Sequence, residues 1–155
     1  MVDTYSDHYN TITDEVISLL QNDIRLNEVS DNQIYKFGSN IIPQFPAIVV
    51  QFDRFESEEQ DWGDNDSDRT VEETIYHIIT IYVKGLDLPQ LEVDITNLIT
   101  DIKNIMVENE TINGNVSHSQ IISGDVLVVP QGNNIILRIA ELTLVSWKQI
   151  EISYS

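Results

Sequence analysis

The sequence predicts an α+β fold, a four-stranded, mainly antiparallel sheet with two helices on one face, in the order α-β-β-α-β-β. Three observations carry this. Two segments repeat apolar residues at three- and four-residue steps, the helical period, while four others are rich in β-branched and aromatic residues. The strand-like segments come in neighbouring pairs joined by loop or turn signals, which favours hairpins over crossover connections. The 155 residues fit one domain, and a domain of that size buries roughly 68–70% of its unfolded surface without metal or disulfide staples. Residues 1–155 therefore read as a single domain.

From Thr4 to about Ile24, Tyr5, Ile12, Val16, Leu19, Leu20 and Ile24 recur with helical spacing, and Asp3 or Thr4 can cap the start. The connection 27–44 reads mostly as loop, with Gly38 and Pro43 as punctuation and a short extended piece at Ile34 to Phe37. The segment 45-FPAIVVQFDRF-55 reads as a strand, with Pro46 at its front where a missing N–H is tolerated. A long strand follows in 71-VEETIYHIITIYVKG-85, apolar on both alternating sets. The two strands bracket residues 56–70, which read as a long acidic hairpin loop. Pro89 falls at a first helical position. Leu91, Ile95, Leu98, Ile99, Ile102 and Met106 then mark the second helix, and Asn113-Gly114 closes it with a turn signal. The final third reads as a hairpin, 119–130 and 135–152 around 131-QGNN-134, with Gly124 marking a bulge or bend.

Charge and composition exclude several functions. Twenty-six acidic against eight basic residues give a formal charge of −18, which disfavours tight binding to nucleic acid or to an anionic membrane, since both attract Lys and Arg. Without cysteine there is no thiol nucleophile, disulfide or Cys-ligated zinc. The start MVDTYSDHYN lacks the pattern of a signal peptide and no apolar run reaches membrane-spanning length, so a soluble intracellular protein is expected.

The stretch 56-ESEEQDWGDNDSDR-69 holds seven carboxylates. As a calcium loop starting at Asp64 it fails, because position six is Arg69 instead of Gly and position twelve is Ile75 instead of Glu. Asp64, Asp66 and Asp68 remain a looser cation candidate beside the plainer reading of a solvated tip. Trp62 within the run is a candidate contact residue, because an indole orders a loop by burying against something. His8, His77 and His118 lack ligand spacing, and His77 reads as a core or interface histidine. No nucleophile elbow, phosphate loop, dinucleotide fingerprint or zincin motif occurs. The expectation is no enzyme, no cofactor and no metal.

The most informative feature is the two-sided apolar character of the long strands. Tyr76, Ile78 and Tyr82 form the second set in 71–84. In 135–147 it is either Ile135, Leu137 and Ile139 or Ile136, Ala140 and Leu142. Two helices cover only one face of such a sheet, so a second copy or a partner is expected on the other. The alternative is that the chain's own 27–44 segment folds over it.

In length, acidity, opening helix, Pro-led strand 45–55, hairpin to 74-TIYHIITIYVKG-85, helix 89-PQLEVDITNLITDIKNI-105 and closing strands to 142-LTLVSWKQIE-151, the chain resembles the tail terminator, or tail-completion, proteins of long-tailed bacteriophages. The resemblance implies a non-enzymatic virion protein assembled in the host cytoplasm. It implies a homo-oligomeric ring, typically a hexamer, that caps the tail tube and joins it to a head-completion or connector protein. DNA would pass through the ring without sticking, repelled by carboxylates lining the channel. Trp62, Tyr76, Ile78 and Tyr82 are the expected subunit contacts. The competing expectation is an acidic DNA-mimic inhibitor of a DNA-binding protein.

Overall fold

The computed structural model describes residues 7–37, 44–61 and 68–153. Helix α1 spans His8–Gln21, and two 3-10 turns, Ile24–Leu26 and Asp31–Gln33, lead into the short strand β1, Ile34–Lys36. Strands β2 (Ala47–Asp61) and β3 (Asp68–Gly85) follow, then helix α2 (Leu88–Glu108), and finally β4 (His118–Gly132) and β5 (Ile135–Ser153). The chain is α+β, with two helices and one mixed five-stranded sheet in the order β1-β2-β3-β5-β4.

Two expectations need correction. The sheet has five strands instead of four, because Ile34–Lys36 pairs in parallel with Ile48–Val50 outside β2. Three residues are too few to display the period-two alternation that identifies a strand in a sequence. The acidic run is also not all loop. Glu56–Asp61 continues β2 and Asp68–Thr70 begins β3, and the extended β3 stays paired with β5 as far as Asp68↔Ser153. Strand pairing is made by the backbone, so carboxylates persist there wherever their side chains reach water. Residues 62–67, including Trp62, Asp64 and Asp66, lie outside the described residues, as do the proposed caps Asp3 and Thr4.

α1 is capped by Asp7, whose carboxylate accepts from the Asn10 N–H at 3.4 Å. At the start of α2, Pro89 occupies the first turn, where a missing N–H costs nothing, and the Asp87 carbonyl accepts from Leu91 N–H at 3.0 Å. In the β4–β5 turn Asn133 and Asn134 take φ of 55° and 63°, the paired left-handed conformation that matches strand twist in a two-residue hairpin. The bulge in β4 falls at Ile122, between Ile121 and Ser123. Gly124 nearby has a separate cause: an added Cβ would stand 2.8 Å from Leu142 Cδ2.

The helices lie on one face. Ile12, Val16 and Leu20 of α1 and Leu91, Ile95, Ile102 and Ile105 of α2 join Ile48, Val50, Ile75, Ile79, Ile81, Leu142 and Leu144 in one buried cluster. Cross-strand partners point to the same side, so the registers Val50↔Ile79, Ile81↔Ala140 and Ile79↔Leu142 put the inward sets of β2, β3 and β5 into that core. Deleting a side chain there leaves a cavity as well as losing transfer free energy. Ile79→Ala should cost about 2–5 kcal/mol in urea unfolding, whereas its half-buried neighbour Ile78→Ala should cost clearly less.

Candidate functional site

The opposite face of the sheet has no helix over it among the described residues. Its centre is set by the even positions of β3, and Tyr76, Ile78 and Tyr82 are all half-buried there. Their cross-strand partners are Arg54, Gln51 and Ala47 on β2 and Val145, Thr143 and Ile139 on β5. The burial comes from side chains leaning on lateral neighbours: Arg54 stacks its guanidinium on the Tyr76 ring, 3.8 Å from the centroid, while bonding Glu56 Oε1 at 2.6 Å. Val49 and Val145 are nearly covered, at 6% and 2% exposure, while the three β3 side chains between them keep accessible surface. On β5 the outward set is Leu137, Ile139 and Val145, and Ala140 and Leu142 turn to the core. Of the expected contacts, Tyr76, Ile78 and Tyr82 thus share this face, and Trp62 falls outside the described residues.

A second uncovered surface was not singled out from sequence. From Ile122 to Val128, β4 is exposed on both faces, with Ile122, Val126, Leu127 and Val128 each between 41% and 52% accessible. β4 is the terminal strand of the sheet, so its outer main-chain groups meet no described strand. A shallow hollow runs along its helix side, lined by Ile99 and Lys103 of α2 and by Ile121, Ile122, Val126 and Leu142. The signal was present in 126-VLVV-129, but an apolar run reads equally well as a buried strand.

Buried ionisable groups tie α1 to the sheet. Glu73 is 1% exposed at the extended end of β3, and its carboxylate accepts the Tyr9 hydroxyl at 2.9 and 3.1 Å and approaches His8 Nε2 at 2.9 Å. The Ser57 hydroxyl donates to the same carboxylate at 3.4 Å. This network pins the first turn of α1 to the sheet, with Tyr9 stacked against Phe55 and tilted against Phe52. A buried carboxylate of this kind is tolerated because donors surround it. His77, fully buried beneath α1, meets Thr13 Oγ1 through Nε2 at 2.9 Å. Since the Thr13 hydroxyl donates to the Tyr9 carbonyl, the ring nitrogen must be the donor in that contact. His77 Nδ1 is then a bare acceptor with no partner among the described residues. His118 stacks on Trp147 at 5.4 Å where β4 begins. Among the described residues no group of three metal-ligating side chains converges, and Asp68 has only its backbone described.

Removing either side of the Glu73 network strands a buried polar group, so Glu73→Ala should lower stability by about 1–3 kcal/mol, measured by chemical denaturation. Burial, opposed by the Tyr9 carbonyl and the Asp53 charge, pushes the His77 pKa down to about 4 from an ordinary 6.5. The unfolded chain therefore binds a proton between those values that the folded chain does not. Stability is fully present above pH 6.5 and falls as pH drops towards 4, by about 3 kcal/mol. His77→Gln should flatten that part of the pH–stability curve relative to the parent, while the carboxylate titrations common to both proteins cancel.

No protein-family model matches the chain, and no curated protein matches it either.

Proposed function

We propose that the chain is a non-enzymatic assembly subunit, a tail terminator of a long-tailed bacteriophage that closes into a ring on the tail tube and joins it to the head. The observation that carries the reading is the pair of unlike apolar surfaces that keep accessible area on one small sheet. One is the helix-free face around Tyr76, Ile78 and Tyr82, and the other is β4 with Ile122, Val126, Leu127 and Val128. Either can meet an unlike surface of the next copy, a contact that repeats head to tail and makes a ring where the rotation closes. Two equal patches would stop at a dimer.

The charge distribution supports the same reading. Self-association of a chain carrying −18 needs at least one side of each contact to be poor in carboxylates, since like charges brought together repel. Asp125 is the one acidic residue in the fifteen of β4, whereas β2 carries Asp53, Glu56, Glu58, Glu59 and Asp61. The acidic remainder suits a wall past which DNA slides without binding. The ring count of six, and the tube and head-completion proteins as neighbours, come from the resemblance in element order and lengths.

Negative-stain images of the purified protein, alone and mixed with tail tubes, test the reading. Rings, or caps on tube ends, are expected. Ile78→Asp and Leu127→Asp should each abolish them by burying an unpaired charge, while circular dichroism of both, and thermal unfolding of Leu127→Asp on the exposed edge, remain close to the parent. A particle that stays a single chain and leaves tube ends bare would overturn it.

A further inference from the structure

The sheet has a second free edge besides β4. β1 accompanies β2 only over Ile48–Val50, and the last outward bond there is from Phe37 N–H to the Val50 carbonyl at 3.0 Å. Beyond Val50 the outer edge of β2 faces no strand among the described residues. An unpaired strand edge is a template for another strand, and proteins that keep one exposed usually blunt it with charge, proline or a bulge. The edge of β2 is blunted by charge: Asp53, Glu56 and Glu58 are all exposed along it. The edge of β4 is blunted only at its limits, by the bulge at Ile122 and by Pro130. Ser123–Val129 between them is open, apolar and almost uncharged.

Resting on the ring reading, we propose that Ser123–Val129 of one copy pairs, strand to strand, with the β2 edge around Arg54–Glu58 of the next copy, continuing the sheet around the ring. The charges select this pairing. β2 beside β2 would set carboxylates against carboxylates. β4 beside β4 would pair two copies and leave the β2 edges unused. β2 against β4 puts the acidic strand next to a nearly neutral one and brings its lone cation, Arg54, to the side of the sheet that carries β4's lone anion, Asp125. Both point to the helix-free face, since Arg54 is opposite Tyr76 and Asp125 opposite Glu141. The topology supplies the direction. In the order β1-β2-β3-β5-β4 every pair from β2 onward is antiparallel, so β4 runs opposite to β2. Copies repeated side by side with strands aligned therefore meet in antiparallel pairing. Main-chain bonds give the affinity and alternate side chains fix the register in such strand addition.

The absence of cysteine makes the test clean. Full-length Leu127→Cys and Glu56→Cys proteins are prepared separately, mixed, and treated with a short bismaleimide, with particle mass measured in parallel. A crosslink that forms in the mixture and in neither protein alone is expected, and the doubly substituted chain should yield a ladder up to the ring. Crosslinking of Leu127→Cys with itself would replace this contact by a two-fold β4 pair and overturn the proposal. A ring-sized mass without a crosslink in the mixture would overturn the edge pairing and leave the ring reading standing. A single-chain mass at the highest soluble concentration would overturn both.

Discussion

The period-two alternation of β3 constrains everything else. β3 lies between β2 and β5, paired along its whole length with the latter, and its odd positions Ile75, Ile79 and Ile81 need a covering layer that both helices supply. No helix of the described chain does the same for the even positions, where Thr80 is buried and Tyr76, Ile78 and Tyr82 are half-buried by neighbouring side chains. A chain of this size with one three-layer arrangement would have needed a third helix or a second sheet. The apolar even set is therefore a residue-by-residue statement about the exterior, fixed by the geometry of a pleated strand.

Much of this was legible in the sequence where a repeat was long enough to see. α2 was readable because six apolar positions and a leading proline agree, and β3 because two alternating sets run over a dozen residues. The inward place of His77 followed from the set it shares with Ile75 and Ile79. β1 was not readable as a strand of the sheet, because three residues show no period and nothing in them points to a parallel partner at Ile48–Val50. The reach of β2 and β3 into the acidic run was hidden by composition, since Glu and Asp are rare in strands unless the side chains are solvated. The Glu73 network was invisible for another reason: a carboxylate among many, made special only by the arrival of His8 and Tyr9 from sixty-odd residues away. β4 as an exposed edge was missed because an apolar run does not say whether its neighbour is present.

The acidity and the apolar edge are complementary parts of one arrangement. A charge of −18 keeps separate copies apart unless one side of the contact is close to neutral, and β4 supplies such a side. This favours association that is specific in register over general stickiness, because an approach by any other side meets carboxylates. The buried histidine and glutamate serve the scaffold beneath: they hold α1 against the end of the sheet that also carries the acidic hairpin. They leave the outer face and the β4 edge free for partners.

The most direct test is hydroxyl-radical footprinting of Tyr76, Tyr82 and Leu127 across a dilution series, read together with particle mass. All three are expected to react readily in the dilute single chain and to become protected together as the mass rises. Equal protection of the two tyrosines at every dilution, in a particle of one chain's mass, would mean that the polypeptide covers that face by itself, and would contradict it.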